Sequence, residues 1–291
     1  MNLTIRPLKT AEDGRHLEHI AMAAWGSDGL DAIPSHLSLT VAKENGGVIL
    51  LAYDEDADNL PIGFCWGFWA YMETEDKWKC ASHQAGVIPA YKGQGIGEKI
   101  KWAQRDFTLK KGFDLMTWTF DPLETINGAL NIRKLGAVCS TYHINLYGNL
   151  DDELNRGIET DRFSVDWWLS SEWVEVHQNG GRRSPTVGTI LADGGLMLNQ
   201  SNQKNGVLTP DDRLSPADLE HVPRYLLLQV PRDFQGVKRA DIETGVAWRM
   251  HTRQLFTAAF AHGYSVIDLI PGDPICHYLF EKNWTPAGEI V

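Results

Sequence analysis

Apolar and polar positions along the chain switch between the periods of strands and helices. Residues 3–8 read as a short strand, and Thr10-Ala-Glu-Asp13 behind it has the form of a capping box. Leu17, Ile20, Ala21 and Ala24 then recur at helical spacing. Two apolar and aromatic runs, 48–53 and 62–71, flank the turn-rich DEDADNLP and predict a hairpin with a loose loop. A third extended run covers 77–88 and stops at Pro89. Ile96, Ile100, Ala103 and Phe107 mark a helix that ends at Gly112. Strand 113–120 is closed by Asp121-Pro122. A short helix follows at 124–135 with Gly136 as its stop, then strands at 138–147 and 162–169.

Beyond these, the polar, Gly-rich QNGGRRSP (178–185) reads as a loop or linker, and NQSNQKNG (199–206) as a second polar segment. Strands are expected at 225–230, 264–270 and 276–280. The helix at 242–262 carries Trp248, Leu255, Phe256, Ala259 and Phe260 on one stripe. One passage echoes another. Gly112-Phe-Asp-Leu-Met-Thr-Trp118 leads to Asp121-Pro122, and Gly263-Tyr-Ser-Val-Ile-Asp-Leu269 leads to Asp273-Pro274, each after a helix bearing arginine and aromatics. A degenerate duplication accounts for this; chance is the alternative.

The chain has 291 residues, enough for two domains at roughly 150 each. Its 27 Lys and Arg stand against 38 Asp and Glu, a net charge of −11. An acidic surface repels phosphate backbones, which disfavours nucleic acid as a partner but not a cationic amine. The four cysteines, Cys65, Cys80, Cys139 and Cys276, lie far apart without a C-x-x-C pair. That spacing argues against structural zinc and a disulfide framework, and predicts reduced, buried thiols in a cytoplasmic protein. No apolar signal core opens the chain, and its longest apolar runs are far short of a bilayer span, so no membrane partner is expected.

Val87-Ile-Pro-Ala-Tyr-Lys-Gly-Gln-Gly-Ile-Gly97 carries the chemistry: a strand runs into a glycine-rich turn that opens a helix. Glycine backbones allow close approach and positive φ, free N–H groups point outward, and the helix dipole favours an anion. Lys92 adds a cation. A pyrophosphate is the natural guest. Gly93, Gly95 and Gly97 do not keep the G-x-G-x-x-G spacing of dinucleotide folds, and no G-K-[ST] occurs.

Lys92-Gly93-Gln94-Gly95-Ile96-Gly97 resembles motif A of the GNAT superfamily of N-acyltransferases, Q/R-x-x-G-x-G/A after a strand, with Lys at the first position. The preceding V-x-P-x-Y, the downstream Lys134-Leu135-Gly136-Ala137, the N-terminal IRPL and Pro61-Ile-Gly-Phe64 extend the resemblance over residues 1–172. WTFDPLETINGALNIRKLGA, NRGIETDR and AWRMHTRQLFTAAFAHGY also resemble a little-studied GNAT subfamily of predicted acyl-CoA N-acyltransferases, some linked to amino-acid N-acylation, including N-succinylation. The resemblance implies an α/β fold with a GNAT-type mixed central sheet and flanking helices. It implies an acyltransferase domain over 1–172 and a degenerate GNAT-like C-terminal half over 173–291.

It further implies acetyl-CoA or another acyl-CoA as co-substrate, without a metal. The amides of Lys92, Gly93, Gln94, Gly95, Ile96 and Gly97 would bind the CoA pyrophosphate. A backbone N–H near Val87 and Ile88 would polarise the thioester carbonyl. The acceptor amine attacks directly, and a base removes its proton. His83, sharing strand parity with Ala85 and Val87, is the candidate base; a histidine packed in the sheet is the alternative. The tyrosine that protonates the leaving thiolate in many GNATs is replaced by Ile132, leaving Tyr142 or Tyr147 to substitute. Asn127 and Asn131, four apart on one helix, would reach the pantetheine or serve as surface polar groups. Arg133 and Arg162 would clamp a carboxylate, unless they form salt bridges instead. Trp66, Trp69, Trp118, Trp167 and Trp168 fall on expected strands and read as packing residues.

The expected reaction is acyl transfer, acetyl or succinyl, to the primary amine of a small molecule such as an amino acid, with a homodimer possible. Three rivals stay open: a non-catalytic acyl-CoA-binding sensor, a protein N-acetyltransferase, and a nucleotide-binding enzyme that prefers ATP or NAD.

Overall fold

The computed structural model describes residues 1–25, 33–150, 152, 154–180, 184–204, 206–211 and 223–286. The fold is α/β, with mixed sheet and flanking helices, as the sequence implies. The chain forms two compact units, Met1–Trp118 with Trp168–Ser170, and Thr119–Trp167 with Ser171–Val291. Compactness therefore groups residues 119–167 with the C-terminal part. The functional division expected at 172 is of another kind and remains an expectation.

The first unit contains β1 (Leu3–Pro7), α1 (Ala11–Trp25), α2 (Ser35–Lys43), β2 (Gly47–Asp54), β3 (Leu60–Met72), β4 (Lys77–Val87), α3 (Ile96–Lys110) and, up to Trp118, β5 (Leu115–Phe120). Its strands lie in the order β1-β2-β3-β4-β5, antiparallel except for β4 and β5, which run parallel. The capping box is reciprocal: the Asp13 N–H donates to Thr10 Oγ1 at 3.1 Å and the Thr10 N–H to Asp13 Oδ2 at 3.0 Å. Burial opposes charge on Asp13, but hydrogen bonds from Arg6, the Lys9 and Thr10 amides and Tyr53 outweigh it and hold the carboxyl far below its usual range. Leu17, Ile20 and Ala21 of α1 bury against Ile49 and Leu51 of β2 and Phe64 and Trp66 of β3. Each large apolar side chain so buried contributes about 1.5–3 kcal/mol.

The second unit contains α4 (Thr125–Gly128), a π turn at Ala129–Lys134, β6 (Val138–His143), β7 (Arg162–Trp168), α5 (Glu172–Gln178), α6 (Val187–Ala192), β8 (Leu196–Met197), β9 (Gln200–Lys204), β10 (Val207–Asp211), β11 (Tyr225–Pro231), α7 (Phe234–Ala240), α8 (Ile242–Ala261), β12 (Tyr264–Ile270) and β13 (Ile275–Lys282). Its sheet order is β7-β6-β12-β13-β11-β8, with β9 and β10 as a separate pair. Phe163, Phe256 and Tyr278 form its aromatic centre, with the Phe163 and Phe256 rings 4.6 Å apart, edge to face.

Several expectations are corrected. The polar segment NQSNQKNG contains a strand: residues 200–204 pair with 207–211, while position 205 lies outside the described residues. Of the loop expected at 178–185, Gln178 closes α5 and positions 181–183 lie outside the described residues. The strand expected over 138–147 stops at His143. Trp66 and Trp167 are buried, and the Trp167 indole N–H donates to the Leu135 carbonyl at 2.7 Å, in keeping with packing roles. All four cysteines are unpaired and buried. Among the described residues no helix is long and apolar enough to cross a membrane.

Candidate functional site

Strand β4 ends at Val87, and the chain passes through one 3₁₀ turn, Pro89–Tyr91, into the glycine turn. Gly93 has φ +79° and Gly95 φ +77°, a region that costs a side-chain-bearing residue about 1–2 kcal/mol. A Cβ at either would meet nothing within 4 Å, so backbone conformation, not crowding, selects glycine, and the space above the turn is open. Gly95 is the N-cap of α3, and no side chain caps that helix. The first bond into the helix is from the Lys99 N–H to the Gly95 carbonyl, which leaves the Ile96 and Gly97 amides ahead of it. Ile96 is buried and anchors the helix start, whereas Lys92, Gly93, Gln94 and Gly95 are exposed. Uncapped amides, open space and positive dipole together fit a pyrophosphate.

Two members of the turn are partly engaged. The Lys92 amide donates to the Pro89 carbonyl at 3.2 Å and its ammonium to the Ala24 carbonyl at 3.1 Å. The Gln94 side chain donates to the Ala90 carbonyl at 3.2 Å. Lys92 thus ties the turn to the end of α1 through its side chain, and its backbone N–H is not an anion donor.

Beside the turn lies a fork. The parallel ladder of β4 and β5 consists of Cys80 opposite Met116 and Ala81 opposite Thr117, while β4 runs on to Val87. The Ile88 N–H donates back to the Ile62 carbonyl at 2.9 Å, so of the amides near Val87 and Ile88 expected to polarise a thioester, that of Ile88 is spent on β3. Strand alternation turns the Ala85 and Val87 amides the other way, to the edge beyond the short ladder. Val87 therefore keeps a backbone donor directed into the fork.

His83 occupies a β-bulge. Trp66 pairs with Gln84 and Gly67 with Ser82, so His83 is the inserted residue and the expected parity with Ala85 and Val87 is broken there. The bulge places its imidazole against Trp66, with ring centres 5.3 Å apart and nearly perpendicular, and against Phe68 at 6.3 Å. The side chain is solvent-accessible at the strand surface. Partial desolvation by these rings lowers its pKa from the ordinary imidazole value, which keeps a neutral, proton-accepting ring at neutral pH.

The remaining expected residues belong to the second unit. Asn127 is exposed and Asn131 buried, so they do not share a face. The π turn that begins at Ala129 changes the angular spacing on which that expectation rested. Arg133 is half-buried, 3.6 Å from Asp268. Arg162 is buried, donates to the Asp161 carbonyl and to Asn155 Oδ1, both at 2.9 Å, and lies 3.6 Å from Asp121. Its guanidinium is taken up by protein acceptors, the salt-bridged alternative to a substrate clamp. The Tyr142 hydroxyl, expected to protonate a thiolate, donates to Asp161 Oδ2 at 2.7 Å instead. Burial, the neighbouring Asp161 and that bond push its pKa far above a phenol's usual value, although Arg249 opposes the shift. Tyr147 is half exposed, with its hydroxyl 2.8 Å from Thr119 Oγ1.

The sequence reading missed a polar cluster behind the fork. The apolar spacing of Ile96, Ile100, Ala103 and Phe107 predicts the helix there; α3 also buries Lys101, Gln104, Arg105 and Thr108 with Ile96 and Ile100. Lys101, Gln104 and Thr108 recur at helical spacing, a signal hidden by polarity.

No family model matches the chain, and no curated protein sequence matches it. Its likenesses to solved structures are remote. The NatC complex bound to Gag peptide and CoA is 16% identical over 58% of this chain and 100% of that one, with a TM-score of 0.48. A GNAT-family acetyltransferase from Streptococcus pneumoniae is 14% identical over 57% and 98%, TM-score 0.45. The ribosomal-protein-S18-alanine N-acetyltransferase from Escherichia coli is 18% identical over 58% and 95%, TM-score 0.43. Likenesses this remote leave the activity to be argued from the site.

Proposed function

We propose that the chain is a CoA-dependent N-acyltransferase of GNAT type that acylates the primary amine of a small molecule. The observation that carries this reading is the uncapped glycine turn at the start of α3, set beside a fork between two parallel strands. The amides of Gly93, Gln94, Gly95, Ile96 and Gly97 would hold the pyrophosphate of an acyl-CoA, and the Val87 N–H would donate to its thioester carbonyl. When bound, the acyl-CoA supplies an activated carbonyl. The chain's own contribution is placement and proton removal. His83, neutral and exposed, takes the proton of the attacking amine as the new C–N bond forms. Tyr142 is left out of this reading because its proton is committed to Asp161.

The acidic surface suits a cationic acceptor, and an amino acid is the acceptor class to try first, with acetyl or succinyl as the acyl group. The C-terminal half is read as a degenerate GNAT-like copy without a cradle. Thiol release from acetyl-CoA and succinyl-CoA, followed over a panel of amino acids, other small amines and N-terminal peptides, tests this function. Release with a small amine supports it. Release with peptides alone favours a protein N-acetyltransferase, and tight CoA binding without turnover on any amine favours a sensor.

A further inference from the structure

Lys101 lies in the second turn of α3, 4% exposed, at a position where a helix packed on a sheet ordinarily carries an apolar side chain. Its ammonium donates to Ser82 Oγ at 3.0 Å and to Gln104 Oε1 at 2.9 Å, lies 3.6 Å from Met116 Sδ, and sits 3.8 Å above the Trp118 ring. Ser82 Oγ in turn donates to Gln104 Oε1 at 3.2 Å. One buried cation thus touches all three elements that build the candidate site: α3, β4 and β5.

The places it touches are specific. Ser82 is the residue immediately before the bulged His83, and Met116 stands in the last stretch of ladder before β4 and β5 part. The titratable groups facing Lys101 from the sheet are the thiols of Cys65 on β3 and Cys80 on β4, which burial pushes up to about 12 and about 11 and so keeps neutral. Arg105, on the same helix, directs its Nε to the Leu169 carbonyl and its NH1 to Asp106. A buried ammonium is costly, and a leucine would fill the space without that cost. Burial pulls the Lys101 pKa down to about 8, so the cation fades over the mildly alkaline range.

We propose that Lys101 is a positioning residue for the transfer: through Ser82 it holds the bulge that aims His83, and through Met116 and Trp118 it holds β5 where the strands diverge. The inference rests on the acyltransferase reading and extends it to a residue that touches neither substrate. The His83 imidazole titration, followed by NMR in the wild type and in Lys101→Met, Lys101→Arg and Ser82→Ala, tests it together with kcat and KM. Loosening the bulge exposes the ring and relieves its desolvation, so Lys101→Met raises the His83 midpoint toward the ordinary value of about 6.5. Misplacement of the base lowers kcat by roughly 10- to 100-fold with KM for acyl-CoA little changed. Lys101→Arg restores part of kcat. Ser82→Ala keeps the cation, cuts its link to the bulge and moves both readouts the same way; it decides the matter if Lys101→Met does not fold. Folded variants that melt differently but keep the wild-type His83 midpoint overturn the proposal. A wild-type protein that acylates no amine overturns the acyltransferase reading instead, and the titration, which needs no substrate, still decides whether Lys101 places His83.

Discussion

Helices α3 and α8 finish alike and begin differently. Each runs into a glycine at positive φ, Gly112 at +86° and Gly263 at +81°, then a strand, then Asp-Pro. At its start, α8 has Asp241, whose carboxylate accepts from the Glu243 N–H at 3.1 Å and from the Thr244 hydroxyl at 2.5 Å. At its start, α3 has two glycines and no cap. Both helix dipoles attract an anion; α8 brings its own and α3 leaves the place open. The strands differ in the same sense. β4 and β5 pair directly and then part, whereas β13 runs between β11 and β12 and leaves no fork there. The arginines of the second unit also serve their own fold: Arg249 binds Asp121, Arg253 binds Asp161 and Glu159, and Arg224 binds Glu281. The echo in the sequence is thus one of helix ends and not of function.

The largest effect expected from this contrast is on rate. His83→Ala lowers turnover by about 10²- to 10⁴-fold at neutral pH. Burial lowers the His83 pKa, so the wild-type base keeps its neutral form further into the acid range than an ordinary imidazole, and its rate falls only as pH drops through that lowered value. The pH–rate profile of the variant lacks this limb. Next comes a test of the structural charges. Arg249 is 2% exposed, and Arg249→Met strips Asp121 of its bidentate partner, which costs about 3–5 kcal/mol in urea unfolding. A loss below about 1 kcal/mol would contradict a structural role.

Gly95→Asp gives α3 the self-supplied anion that α8 already has. Aspartate tolerates the left-handed region better than most residues, so the fold survives while CoA affinity falls by roughly 10- to 100-fold, about 1.4–2.8 kcal/mol. Calorimetry reads that loss. The smallest effect is the reverse operation: Asp241→Ala uncaps α8, lowers the melting temperature slightly and creates no CoA site, because the fork is absent there. A gain of CoA binding in Asp241→Ala would show that an open helix start alone is enough.

Much of this contrast is legible in the sequence, and what is not has physical causes. The glycine turn and the strand before it stand out because positive φ and open backbone donors demand glycine at fixed places. The short helices α2, α5 and α6 carry too few turns to show a stripe. Strand β9, QSNQK, lacks apolar alternation and exists through its ladder to β10. His83 could be placed on β4 but not aimed, since a bulge shifts parity without a residue type to announce it. Lys101 was hidden because a lysine in a helix reads as surface, and only the fold brings Ser82, Met116 and Trp118 to it. Asn127 and Asn131 part company because a π turn is silent in a pattern read at 3.6 residues per turn.

Isothermal titration of the purified protein with acetyl-CoA, succinyl-CoA, free CoA, ATP and NAD, repeated on Gly95→Asp, tests the central claim most directly. The account predicts that the wild type binds CoA and its esters in preference to ATP and NAD, and that Gly95→Asp weakens this binding by roughly 10- to 100-fold while remaining folded. Absence of CoA binding, preference for ATP or NAD, or full affinity in a folded Gly95→Asp protein would contradict it.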